Sequence, residues 1–580
     1  MSTTRSILLQ NATILVPQSN DDAVAPLRNH DLLVEGNKIS RIARHIQPPS
    51  DQTKIIDCSG KILSPGFVDT HHHVWQTQLK GRHGDHTLME YVPTGNMQSS
   101  NYTPEDVFWG ELGGCLEALN AGTTTVVDHA HMNYSPKHNT NAIAAIASSG
   151  IRSIFCYTMT TRVKEWQPTM AVDPDHLPDW AIHQLEQLAT EAPFGDGRVN
   201  IGLGFDSFFL PKEVITDLYE RSRRAGTKLI TSHYVRGAVF GQHSLLDVID
   251  GYGLMGHDIL ISHANNMTDT DGEKLKKTNT FVSSTPDTEL QMGLGYPVCF
   301  RDDIKTLSSL GIDCHSNNSG SIVGQMRLGL QAERARRNEP KIQDGKGPKH
   351  LDISVQDAFR LGTIGGARAA NLQDQIGSLE EGKIADIVIF DGLSPSMICA
   401  AEQDPVAAIV LHSSVSDVDG VICDGQIRKL DGKLYPIQLD LKGSSVDIAK
   451  TSLTWAEVAQ ALLHSRRQIN ERDEKVWPGL EQAVDNVMGL LSIDKGNFFT
   501  NFLKMQLGNT DRSVSHKIPS NLIPSFNRFN EALQAIYGRT SEINNFDWKN
   551  DGTETVVTTC FEEPTDLLKE LQDRGVCKKS

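Results

Sequence analysis

The sequence predicts an α/β chain: a (β/α)8, or TIM, barrel with a small β-sandwich built from both flanks and a mainly helical C-terminal extension. Three observations predict it. Eight short apolar segments alternate with helical stretches through the middle of the 580 residues. Two β-rich segments lie on either side of that alternation. Beyond about residue 447 the chain turns polar and helical in pattern. The expected division is therefore 1–65 with 376–446 as the sandwich, 66–375 as the barrel, and 447–580 as the extension.

The flanks come first. ILLQNATILVP (7–17), DLLVEGNKISRIA (31–43) and TKIIDCSGKILSP (53–65) are rich in Ile, Leu and Val and are punctuated by Glu35-Gly36-Asn37 and Cys58-Ser59-Gly60. The same flavour returns in GSLEEGKIADIVIFD (377–391) and VDGVICDGQIRKLDGKL (418–434). Between them, strands are expected at 66–71, 123–129, 152–158, 200–206, 228–234, 259–265, 280–285 and 311–316. Thr103-Pro104-Glu105-Asp106 places a capping hydroxyl before a first-turn proline, and Pro211-Lys-Glu opens a further helix. A doubly wound open sheet would share this local pattern. The count of eight, and the polar residues at strand C-terminal ends, favour the barrel. In the extension, Thr454-Trp455-Ala456-Glu457 reads as a capping box before a helix to about Arg472, with further helices near 479–491, 524–537 and 563–574.

Composition narrows the function classes. A net charge of −17 argues against nucleic acid or an anionic membrane as partner, since both need a basic face. Nine dispersed cysteines with no CxxC pair read as free thiols in a reducing compartment. With no signal-peptide pattern and no long apolar run, a cytoplasmic setting is expected.

The chemistry gathers at strand ends. In PGFVDTHHH (65–73) alternate side chains share a direction, so His71 and His73 project together and His72 away. Two imidazoles one pleat apart can share a divalent ion. Later strands end in Ser232-His233, Ser262-His263 and Asp313-Cys314-His315. In a parallel barrel these ends share one face, so residues far apart in sequence can converge there.

PGFVDTHHH, SHYVRG, ISHANNM, STPDTELQMGLG and GIDCHSNNSG resemble the amidohydrolase superfamily, in the branch of cytosine and guanine deaminases, methylthioadenosine/S-adenosylhomocysteine deaminases and triazine chlorohydrolases. The resemblance spans about residues 7–440. It implies a barrel with a β-sandwich, and metal ligands at His71, His73, His233 and Asp313. It implies that Asp313 also takes the proton of the activated water and that His263 orients that water or polarises the substrate. One divalent ion is expected, zinc first, with iron or manganese as alternatives, because strand four (NIGLGFDSFF) lacks the lysine of binuclear members. Self-association into a homo-oligomer is common in that family.

One departure matters. Deaminases of this branch carry Glu three residues after the strand-five histidine, and this chain has Arg236. Arginine cannot shuttle a proton, so it stands instead as a candidate for binding an anionic substrate group. Glu289 is a candidate acid from the opposite wall, or else a loop carboxylate. His129, His131, Trp75 and Gln78 are candidate substrate contacts, with a structural role open for the two histidines. The expected activity is hydrolysis of a non-peptide carbon–nitrogen bond, amide or lactam, in a small cyclic or aromatic molecule. Deamination of a purine, pyrimidine or related ring is the alternative, and an inactive scaffold the remote one.

Overall fold

The computed structural model describes residues 6–18 and 22–493, Gly496 and Phe498, and the backbone of five short strands beyond them. Eight parallel strands form the central sheet in sequential order: Phe67–His72, Thr123–Ala130, Arg152–Thr158, Val199–Gly204, Ile230–Val235, Ile259–Asn265, Phe281–Ser284 and Ser308–Leu310. Helices between them cover the outside, as parallel pairing requires. The barrel closes where His72 bridges Asp313: Asp313 N donates to His71 O at 2.8 Å and His73 N to Asp313 O at 3.0 Å.

Strand eight is Ser308–Leu310, so it lies wholly ahead of the expected 311–316, which is irregular chain. Two local features cause this. Gly311 passes His71 so closely that a Cβ would lie 2.6 Å from its carbonyl oxygen. Asp313 then takes φ +64°, which no regular strand accommodates.

Capping worked as local chemistry dictates. Thr103 and Asp106 satisfy each other's backbone at the head of Pro104–Asn120. Thr454 and Glu457 form the box before Trp455–Val476, which runs one turn past the expected end. The flanks behave as predicted too: nine strands from both sides of the barrel make one hydrogen-bonded sheet. Lys61–Pro65 is its seam, parallel to Ser6–Pro17 and antiparallel to Ile387–Asp391. Ile7, Leu9, Leu32, Leu63, Ile387, Ile389 and Ile422 share a core there.

The chain divides into compact units at Met1–Ile493 and Asp494–Ser580. Helices Trp455–Val476 and Leu480–Leu490 therefore belong to the unit of the barrel. In the second unit, Glu554–Thr559 lies between Val514–Pro519 and Phe546–Asn550 in an antiparallel sheet, and Arg539–Thr540 pairs Ile543–Asn544. The expectation of a mainly helical region did not include these strands, although the β-branched run Thr555–Thr559 favours them. The helices expected at 524–537 and 563–574 lie outside the described residues. No helix among the described residues is long and apolar enough to cross a membrane.

Candidate functional site

The C-terminal strand ends bring His71, His73, His233, His263 and Asp313 together. Asp313 Oδ1 lies 3.3 Å from His71 Nε2 and 3.1 Å from His73 Nε2, and the Nε2 atoms of His73 and His233 are 3.4 Å apart. Ligand atoms of His71, His233, His263 and Asp313 all fall within 4.8 Å of one another. Apart from His233, which is partly open, these side chains are buried.

The far side of each ring is held. His73 Nδ1 donates to His129 O at 2.8 Å, and a carbonyl can only accept, so the hydrogen of the neutral ring is on Nδ1. His233 Nδ1 lies 2.9 Å from Asp206 Oδ2, which demands the same tautomer. His71 Nδ1 is 2.8 Å from Ser262 Oγ, and His263 Nδ1 is 3.0 Å from Thr285 Oγ1. In their neutral forms, His73 and His233 thus turn bare lone pairs towards each other and a carboxylate oxygen. Such a set repels itself without a cation. A divalent ion with bonds of about 2.0–2.1 Å in tetrahedral geometry separates its donors by about 3.3 Å, the spacing found here. Burial pulls His71 and His73 below the usual histidine range, which keeps them in the neutral form a metal needs. His233 is raised, because Asp206 outweighs its burial, so a proton competes with an ion at that ring.

Backbone strain falls at the same place. Asp313 has φ +64° and His263 φ +70°, conformations costly for residues other than glycine and concentrated at functional sites. Asp69 secures the turn: its Oδ1 accepts His71 N and Ile312 N, at 3.2 and 3.1 Å, and its Oδ2 is 2.8 Å from His72 Nδ1. His72 points away from the cluster, as alternation requires, and meets His315 instead.

The remaining predicted residues separate into two groups. His129 and His131 are close: the His131 ring lies 4.1 Å from that of His73, and His129 Nε2 is 3.2 Å from Asp206 Oδ2. Trp75 reaches the cluster through His131, at 5.5 Å between ring centres. Gln78 is turned elsewhere, donating to Asp106 O and Ser465 Oγ, which ties it to helices 104–120 and 455–476. Arg236 spends Nε and Nη1 on the carbonyls of Gln242 and Asn266, at 3.0 and 3.1 Å, fastening the rim loops. Glu289 is fully buried behind His263, its Oε1 accepting Thr285 N at 2.7 Å and lying 3.5 Å from His263 Nδ1.

Sequence reasoning missed Asp206, Asp69 and Ser262. Asp206 had a readable signal, a carboxylate directly after a barrel strand. The other two hold His71 from behind and carry none.

His83 lies in the loop after strand one, fully buried with Nδ1 2.7 Å from Ser316 Oγ. Burial drives it down from 6.5 to about 3. The unfolded chain takes this proton near pH 6.5 and the folded chain does not. The stability His83 provides is therefore complete above pH 6.5 and is lost as pH falls towards 3, by up to about 1.4 kcal/mol per pH unit. Urea midpoints at pH 7.5 and 5 should differ less in His83→Gln than in the wild type.

The chain is similar to known proteins over most of its length. The model of the amidohydrolase family matches residues 62–428. A 5'-deoxyadenosine deaminase of Methanobrevibacter smithii is 26% identical over 450 residues, covering 74% of this chain and 94% of that protein. A 5-methylthioadenosine/S-adenosylhomocysteine deaminase of Pyrococcus abyssi is 25% identical over 448 residues, covering 74% and 96%. Among solved structures, an adenosine deaminase from Xanthomonas campestris with bound zinc superposes with a TM-score of 0.64 at 19% identity, covering 81% of this chain and 99% of that one. The atrazine chlorohydrolase of Arthrobacter aurescens complexed with zinc gives a TM-score of 0.63 at 19% identity, covering 80% and 100%. On this match the chain belongs to the amidohydrolase family and is a hydrolase of carbon–nitrogen bonds other than peptide bonds.

Proposed function

We propose that the chain hydrolyses an amide or lactam bond in a small cyclic or aromatic molecule, with one zinc ion held by His71, His73, His233 and Asp313. The observation that carries this reading is the convergence of imidazole Nε2 atoms on Asp313 Oδ1 at 3.1 and 3.3 Å. Zinc in two similar solved structures supports the choice of metal. When bound, such an ion supplies electrophilic pull and a water acidified to a pKa of about 7. Asp313 takes the proton of the attacking water and returns it to the departing nitrogen. His263, its Nδ1 held by Thr285, offers Nε2 to the oxygen that gains charge on the attacked carbon. Free thiols at the seven described cysteines support a reducing, cytoplasmic setting.

Arg236 supports amide hydrolysis over deamination. It occupies the third position after His233 with a group that stays protonated and is tied to main-chain carbonyls. A second reading, deamination of an amino-substituted purine or related ring, is favoured by the names of the similar proteins.

One experiment addresses both. Protein stripped by a chelator is expected to lose turnover and to regain it with one equivalent of zinc per chain. Lactams, cyclic amides, aminopyrimidines, 5'-deoxyadenosine and 5'-methylthioadenosine are assayed for ring-opened product and for ammonia. Ammonia from an aminopurine without lactam opening replaces the first reading by the second. Turnover untouched by metal removal defeats both.

A further inference from the structure

Asp206 lies directly beyond the fourth barrel strand, and its carboxylate is surrounded by histidine nitrogens. Oδ1 accepts the backbone N–H of His233 at 2.8 Å. Oδ2 lies 2.9 Å from His233 Nδ1 and 3.2 Å from His129 Nε2. Among the described residues no lysine or arginine pairs with it, so its charge is met by the two imidazoles. His129 in turn gives its main-chain carbonyl to His73 Nδ1 at 2.8 Å.

We infer that Asp206 is the positioning residue of the metal centre: it fixes His233 as the Nδ1–H tautomer, so that the Nε2 lone pair faces His73 and Asp313. The two contacts to His233 act together. The backbone N–H locates the carboxylate, and the second oxygen then has only the ring hydrogen to accept. The same carboxylate lies against the ring of His129, 3.2 Å from its Nε2, and His129 is the residue whose carbonyl imposes the matching tautomer on His73. One acidic side chain thereby stands behind two of the three proposed histidine ligands. Groups that hold a ligand histidine in this way typically change metal affinity by about 10–100-fold when removed.

The inference rests on reading the cluster as a metal centre, and the test separates the two. Asp206→Asn keeps the shape. Its single carbonyl oxygen takes the backbone N–H of His233, which leaves an amide donor against Nδ1 and favours the opposite tautomer, with a hydrogen on Nε2. Zinc affinity of the full chain, measured against a competing chelator, is expected to fall about 10–100-fold in Asp206→Asn and in Asp206→Ala, with part of the loss recovered in Asp206→Glu. Independently, histidine ¹⁵N shifts of the metal-free full-length protein, taken at alkaline pH where His233 has lost its second proton, should report Nδ1–H at His233 in the wild type and Nε2–H in Asp206→Asn. The inference is overturned if Asp206→Asn binds zinc within about twofold of the wild type, if the tautomer does not change, or if the wild type binds two zinc ions and Asp206→Ala loses one, since Asp206 would then be a ligand. A wild type that binds no zinc defeats the metal-centre reading alone, because the tautomer measured without metal still decides the role of Asp206.

Discussion

Asp313→Asn should lower kcat by about 10²–10⁴-fold, the usual worth of a positioned general base. That corresponds to about 3–5 kcal/mol of transition-state stabilisation. The substitution isolates the chemistry from the fold for a specific reason. Asp313 sits at φ +64°, and asparagine tolerates the left-handed region as well as aspartate does. The amide also keeps an oxygen where Oδ1 lies between His71 and His73. What it lacks is the ability to take a proton. Asp313→Ala adds backbone strain and a lost ligand, so its effect would mix causes. The measurement is steady-state kinetics on the substrate found in the screen, at matched zinc content. Wild-type turnover in an Asn variant holding one zinc per chain would remove Asp313 from the mechanism.

A large loss of stability, with little direct effect on the chemistry, is expected from Asp386→Ala. Arg152 opens barrel strand three and is buried, and so is Asp386 at the start of the returning flank. Asp386 Oδ2 is 3.4 Å from Arg152 Nε, Asp386 Oδ1 accepts Asp424 N at 2.7 Å, and its carbonyl accepts Gly66 N at 2.8 Å. The pair therefore links the barrel to the flanking sheet. Removing one member leaves a buried guanidinium short of a partner and costs about 3–5 kcal/mol. Asp424, 3.2 Å from Arg152 Nη2, remains in place and puts the expectation at the lower end. Denaturant unfolding would register this as a lower midpoint, and a shift worth under about 1 kcal/mol would show that the link is not a stability determinant.

Much of the site was legible because strand geometry is periodic. His71 and His73 share a face and His72 does not, and this follows from the two-residue repeat before any fold is known. His233, His263 and Asp313 could be placed on the same rim because each ends an apolar run, and parallel strands in a barrel end on one face. Side chains that leave this periodic frame were not legible. Gln78 follows strand one in a short helical turn, and its direction depends on helices 104–120 and 455–476, to which it donates. Glu289 lies one turn into a short helix, which carries it behind His263. Arg236 leaves strand five and is captured by carbonyls of loops that no local pattern predicts.

The sequence by itself determined the strand–helix alternation of the barrel, the β character of each flank, the capped helices and the chain order of the strand-end histidines and Asp313. Each of these depends on residues within a few positions of one another. Only the tertiary structure decided that Asp206 stands behind His233, that strand eight stops at Leu310 so that Asp313 can turn inward, and that helices 455–476 and 480–490 join the unit of the barrel. Those outcomes depend on hydrogen bonds and close approaches between segments distant in the chain, and pairing of that kind is set by packing rather than by local preference.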